Sequence, residues 1–214
     1  MTGTDELDTG WAIAWVQAAA ADVMTARTEL IELDRAIGDG DHGENLSRGL
    51  AAAATAVGDG TPISVKEVFA VTAKTLMSTV GGASGPLYGS VFIGAAKCAT
   101  LPLDGTGVAT MLESALESLM KRGKAHAGEK TMVDAWTPAV EAARAAAAAG
   151  AGPAETLSAA ARAAAAGAVA TEPLIATKGR ASYLGERSRG HRDPGAQSTA
   201  IILATAASTA ASRS

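Results

Sequence analysis

The sequence predicts an all-α fold, a bundle of about eight antiparallel helices, and three observations predict it. Strong helix formers dominate: long stretches rich in alanine, leucine, glutamate and lysine show little β-branched alternation. Glycine and proline punctuate these stretches at Gly38 to Gly43, Gly58 to Pro62, Gly81 to Pro86, Gly105 to Gly107, Gly123 to Gly128, Gly150 to Pro153 and Gly179 to Gly195. Aromatic residues are scarce beyond Trp11, Trp15 and Trp136, so aliphatics and alanine must fill the core at close helix spacing.

Trp11, Trp15, Ala19, Val23, Leu30 and Leu33 recur at helical spacings and predict one helical face from roughly Thr9 to Leu33. Ser64 followed by Glu67 fits a capping box at the start of a helix, and Thr131 with Asp134 is a weaker relative of it. The alanine-rich region from Ala139 to Ala170 reads as two packed helices, with Gly152-Pro153 turning the chain between them. Lys178 to Arg192 reads as a long non-helical segment. A final helix is expected from about Ala196 to Ala211, carrying Ile201, Ile202 and Leu203 into the core.

With 214 residues, about half of them apolar, the chain can bury a substantial core, and a single domain over 1–214 is the simplest organisation. The net charge of −4 and the absence of a long basic run give no case for a nucleic-acid partner. Cys98 is the only cysteine, so no internal disulfide forms, and its apolar neighbours suggest a buried, inert thiol. Asp5, Glu6 and Asp8 near the start argue against a signal peptide, and Arg144, Glu155 and Arg162 interrupt the alanine runs against a membrane span. A soluble, cytoplasmic protein is the expectation.

Chemistry concentrates in the stretch L-D-R-A-I-G-D-G-D-H-G-E-N, where Asp34, Asp39 and Asp41 crowd around Gly38 and Gly40. Glycines let the backbone turn sharply enough for the carboxylates to converge on a hard cation, which would remove their mutual repulsion. An EF-hand is excluded, because counting from Asp39 its glycine and glutamate positions hold Glu44 and Leu50. Spacing alone leaves two readings open, turn caps and a metal site. An open, all-aspartate cluster suits Mg²⁺ with a phosphorylated ligand, and His42 and Asn45 offer neutral donors beside it.

The loop Gly81-Gly82-Ala83-Ser84-Gly85-Pro86 combines free backbone, a hydroxyl and a proline suited to a first helical turn. It could bind an anion, or its glycines could serve close helix packing. It is neither a Walker loop nor a strand-borne Gly-x-Gly-x-x-Gly, so α/β nucleotide folds are not supported. In K-G-R-A-S-Y-L-G-E-R-S-R-G-H-R-D-P-G-A, some of the charges brace the loop through ion pairs, as Glu186 and Arg187 could. Arg180, flanked by glycine and alanine, is the one expected to face a phosphate.

Taken together, G-D-G-D-H-G-x-N, G-G-A-S-G-P-L, R-G-K-A-x-x-G-x-K-T-M and K-G-R-A-S-Y-L-G-E-R-S-x-G-H-x-D-P-G-A resemble the nucleotide-binding L subunit of dihydroxyacetone kinase. The same unit forms the C-terminal domain of single-chain dihydroxyacetone kinases. The motifs extend from Asp34 to Ala196. The resemblance implies a closed barrel of eight antiparallel helices with the nucleotide site at one end. It implies that Asp34, Asp39 and Asp41 hold two Mg²⁺ ions, and that the segment His42, Gly43, Glu44 and Asn45, with Ala83 and Ser84, touches the phosphates. Glu44 and Arg189 stand at variable positions of the motifs and receive no individual role. Gly123 and Met132 would line the adenine pocket, and Arg180 with Asp193, Pro194 and Gly195 would complete the site. Met132 by residue type alone reads as core, His126 as a surface residue, and His191 as orienting the loop around Asp193.

The implied reaction is phosphoryl transfer, in which positioning and charge neutralisation supply most of the catalysis. Asp39, Asp41 and Arg180 are the expected catalytic residues, and no general base is required on this chain. The resemblance further implies a separate K subunit that binds dihydroxyacetone, and a phosphohistidine carrier, the M subunit of a phosphotransferase system, that recharges ADP held as a coenzyme. Alternatives are an ATP-using kinase subunit for dihydroxyacetone or another small ketose such as erythrulose, and a non-catalytic nucleotide-binding regulator. A homodimer is left open as a further assembly.

Overall fold

The computed structural model describes residues 6–100 and 102–213, and Asp5 lies outside them. Among the described residues there are nine α-helices, no strand and one 3-10 segment. The helices are α1 Thr9–Thr25, α2 Arg27–Ile37, α3 His42–Asp59, α4 Val65–Thr79, α5 Ser84–Cys98, α6 Gly105–Gly123, α7 Val133–Ala148, α8 Pro153–Ala170 and α9 Pro194–Ala211; the 3-10 segment is Arg180–Ser188. From α3 to α9 each helix packs on the next, α9 packs on α1 and α1 on α3, so eight helices close a ring and α2 is an added arm against it. None of the described helices is long and apolar enough to cross a membrane.

Neighbours in the ring run antiparallel, as short connectors between packed helices require. The closing pair shows it directly: the indoles of Trp11 and Trp15 donate to the carbonyls of Ala206 (3.3 Å) and Ile202 (2.9 Å), and Arg213 donates to both carboxylate oxygens of Asp8 at 2.8 and 2.9 Å. Trp11 stacks on Trp15 at 5.2 Å, and Phe69 of α4 and Phe92 of α5 meet Trp15 at 5.6 Å each. This cluster places four of the few aromatic residues in one half of the ring. Each ring adds roughly 0.5–1.5 kcal/mol per aromatic contact beyond its area burial. Elsewhere alanine and glycine set a closer spacing. A Cβ on Gly94 would stand 2.3 Å from the Ser114 carbonyl of α6, and one on Gly167 would stand 2.5 Å from the Asp134 carbonyl of α7.

The expected helix over Thr9 to Leu33 is two helices. Its apolar face is buried except for the half-buried Leu33, but the chain breaks at Ala26, whose N–H is shared between the carbonyls of Asp22 and Met24. This tightened turn redirects the chain without glycine, proline or a side-chain cap to mark it. Gly105 and Gly107, expected in a connector, lie in the first turn of α6 behind an Asp104 cap. The segment expected to be non-helical contains the 3-10 turns. Cys98, expected buried, is half-buried at the end of α5. Ser64 caps α4 as expected, but Glu67 reaches back to the N–H of Ile63. Asp134 accepts from Thr131 N while Thr131 Oγ1 accepts from Val133 N.

Candidate functional site

A cavity of about 550 Å³ opens at one end of the ring. In an antiparallel ring alternate helices present the same end to one side, and here α3, α5, α7 and α9 all begin at the cavity wall, with His42, Ser84, Val133 and Pro194 lining it. Four helix N-termini therefore surround one space, each adding partial positive charge and unpaired N–H groups. This is a frame for an anion.

The carboxylates stand at the mouth of α3. Asp34, Asp39 and Asp41 each bring one carboxylate oxygen within 4.8 Å of the others. Asp34 is buried at the end of α2, and its Oδ2 accepts from the N–H groups of Asp41 (2.8 Å) and His42 (3.1 Å), which folds the Gly38-to-Asp41 loop back over it. Asp39 pairs with Arg180 at 3.0 Å. Burial raises the pKa of Asp41, and the charges of Asp39 and Asp34 push it further, against a hydrogen bond from Asn45. Three converging oxygens, from the buried Asp34 and the exposed Asp39 and Asp41, form the donor set that Mg²⁺ takes together with phosphate and water. The residues fit that ion.

His42 lines the cavity, but both of its ring nitrogens are engaged. Nδ1 meets Ser84 Oγ at 3.0 Å and Nε2 meets Ser198 Oγ at 2.8 Å; burial lowers its pKa to about 4, so the ring is neutral. Ser198 Oγ also meets the Tyr88 hydroxyl at 2.6 Å and donates to the Gly195 carbonyl at 3.1 Å. One imidazole thus ties the starts of α3, α5 and α9 together. The sequence did not reveal this linkage, since its partners lie 42 and 156 residues away.

Among the site residues expected from the sequence, Asp34, Asp39, Asp41, His42, Ala83, Ser84, Gly123, Met132, Arg180, Asp193, Pro194 and Gly195 all line the cavity. Gly43, Glu44 and Asn45 do not. Gly43 packs α3 on α2, where a Cβ would stand 2.4 Å from the Arg27 carbonyl; Glu44 points outward to pair with Arg27. Asn45 accepts from Arg48 at 2.7 Å beside Gly81 and supports Asp41 from behind. Leu87, Leu119, Ala125, Met132 and Val133 add an apolar lining to the cavity. His126 is exposed as expected, and His191 acts on its loop through its carbonyl.

Lys130 is the residue that the sequence reading left without a role. It lines the cavity with 1% of its surface exposed, and it holds a left-handed backbone with φ of 61°. Its ammonium donates to the carbonyls of Thr171 (2.6 Å), Glu172 (3.4 Å) and His191, joining the end of α8 to the segment before Asp193. Burial lowers its pKa, against the nearby charges of Asp193, Glu172 and Asp134. The K-T-M motif was the available signal, but a lysine is ordinarily assigned to the surface.

Asp193 caps α9 by accepting from Ala196 N at 2.7 Å, and burial pushes its pKa up to about 7 against that bond. The folded protein therefore binds this proton more tightly than the unfolded chain. The associated stability is fully present below the usual carboxylate range and is lost as pH rises toward 7. With chelator present, the thermal midpoint should fall between pH 5 and pH 7.5 from this cause, and Asp193→Asn should flatten that fall while keeping the cap. An equal slope in the variant would contradict the assignment.

Comparison with known proteins agrees with this geometry. The family model described as the DAK2 domain matches residues 36–208. The chain is 43% identical over 197 residues to the "PEP-dependent dihydroxyacetone kinase 1, ADP-binding subunit DhaL" of Listeria innocua, covering 92% of this chain and 94% of that one. It is 43% identical over 193 residues to the "PTS-dependent dihydroxyacetone kinase, ADP-binding subunit DhaL" of Lactococcus lactis, covering 90% and 93%. Among solved structures, the dihydroxyacetone kinase from C. freundii in complex with AMP-PNP and Mg²⁺ superposes with a TM-score of 0.72 at 25% identity, over 95% of this chain. This chain spans 34% of that longer one. With the all-helical ring, the motifs and the matched length in agreement, the chain belongs to the DAK2 domain family.

Proposed function

We propose that this chain, as a single domain, is the nucleotide-binding subunit of a dihydroxyacetone kinase. On this reading it holds ADP as a coenzyme, a phosphohistidine carrier recharges the nucleotide, and a K subunit presents dihydroxyacetone at the cavity mouth, all in the cytoplasm. The observation that carries the reading is the convergence of Asp34, Asp39 and Asp41 in a cavity faced by four helix N-termini. The relatives named as ADP-binding subunits support it, since they match over about nine-tenths of both chains.

The three aspartates would hold two Mg²⁺ ions, which when bound supply positive charge to the phosphate oxygens and to the oxygen that leaves in transfer. The protein's own groups do the positioning. Ala83 and Ser84 at the start of α5 offer backbone N–H groups, and His42 holds the Ser84 hydroxyl in place. Arg180, two-thirds exposed and steadied by Asp39, presents its remaining donors to the transferring group. Leu87, Leu119 and Met132 provide an apolar wall for the base beside Gly123. These roles place charge stabilisation on this chain and leave the acceptor hydroxyl's proton to the K subunit.

The test is reconstitution. The purified chain with a K subunit and dihydroxyacetone should yield dihydroxyacetone phosphate from a phosphorylated carrier, with close to one ADP per chain surviving dialysis. Product from ATP alone, with rapid nucleotide exchange, would replace the coenzyme reading with the ATP-using one. No product from either donor, with nucleotide still bound, would leave a regulator.

A further inference from the structure

A second cavity, of about 700 Å³, lies between α4 and α5 on the flank of the ring. On α4, Lys66, Ala70, Ala73 and Met77 follow the three-and-four spacing of one helical stripe, with Lys74 beside them; on α5, Ile93, Ala96 and Lys97 form the facing wall. The alanines leave a trough between the helices. Met77 and Ile93, each 41% exposed, are two of the chain's six exposed large hydrophobic residues among those described.

Charge distinguishes this trough from an ordinary solvated face. No carboxylate lines it. Among the described residues Lys66, Lys74 and Lys97 pair with no Asp or Glu, so none of the three ammonium groups is neutralised within the chain. Lys97 meets only the Ser118 hydroxyl, at 3.4 Å. In a chain of net charge −4 this is a local basic rim around an apolar floor. From Lys66 to Ser78 the trough follows α4 for roughly 18 Å at 1.5 Å per residue, the length of a three-turn helix.

We propose that the α4–α5 trough docks an acidic amphipathic helix of a partner protein. The partner's apolar side chains lie over Ala73 and Ala96 between Met77 and Ile93, and its carboxylates meet Lys66, Lys74 and Lys97. Apolar contact supplies affinity, and the lysines select the sign of the partner's charge. The trough is separate from the nucleotide cavity, with no lining residue in common.

The probe is a fluorescent synthetic helix of about 14 residues, with leucine at helical spacing and glutamate at its flanks, titrated with the full chain at low salt. Saturable one-to-one binding is expected, weakened on the order of tenfold by Lys74→Glu with Lys97→Glu and likewise by Met77→Asp. Nucleotide retention should stay unchanged in these variants. The proposal is overturned if the acidic helix does not bind, if a scrambled or lysine-flanked peptide binds equally, or if the substitutions leave binding unaltered. Sedimentation provides a further check: a dimer of the free chain that Met77→Asp dissociates would make the trough an interface between copies, and the partner proposal would fall.

Discussion

Asp39→Ala is expected to abolish Mg²⁺-dependent nucleotide retention, weakening ADP binding on the order of a hundredfold when Mg²⁺ is present. The carboxylate lost is one of the three whose oxygens converge at the cavity, and it also steadies Arg180. Stability should respond differently. In the metal-free protein Asp39 repels Asp41, so its removal should leave the thermal midpoint in chelator unchanged or slightly higher. The pair of readouts separates a ligand role from a folding role: wild-type affinity in the variant would sink the metal assignment, and a large loss of stability would recast Asp39 as structural.

Lys130→Met should lose about 3 kcal/mol, because the buried carbonyl of Thr171 and the part-buried carbonyl of His191 are left without their shared donor, and the loop they join to α8 loses its anchor. For a chain of this size that corresponds to a fall of roughly 6–12 °C in thermal midpoint. Nucleotide binding should weaken with it, since Lys130 anchors the segment that carries Asp193, Pro194 and Gly195 to the end of α8. Asp193 would also lose the positive charge of Lys130, which opposes its raised pKa, extending the pH-dependent loss of stability above pH 7. Lys130→Arg is not expected to rescue, because a planar guanidinium cannot direct its donors to three carbonyls gathered around one ammonium. A midpoint within about 2 °C of wild type would show that the carbonyls find other donors.

The ring of helices was legible because glycine and proline mark most of its turns and alanine marks its close contacts. The break at Ala26 was not, because a shared hydrogen bond ends α1 without any breaker residue. At the site, the family resemblance pointed to twelve residues that do line the cavity, whereas the glycine-rich loops by themselves left turn caps and close helix packing open as readings. Glu44 shows the limit of reading along a motif: two residues past His42 the helix has turned by roughly 200°, and its side chain meets Arg27 on the outer face. Lys130 and Ser198 were hidden for another reason. Their roles arise from partners far away in the chain, and neither residue type announces burial.

On the proposed function, the three aspartates join nucleotide to protein through divalent cation. Titrating ADP into nucleotide-free protein by calorimetry, with Mg²⁺ and then with chelator, tests it most directly. Strong binding with Mg²⁺ and a loss of about a hundredfold or more without it is the predicted result. Equal affinity in the two conditions would contradict it.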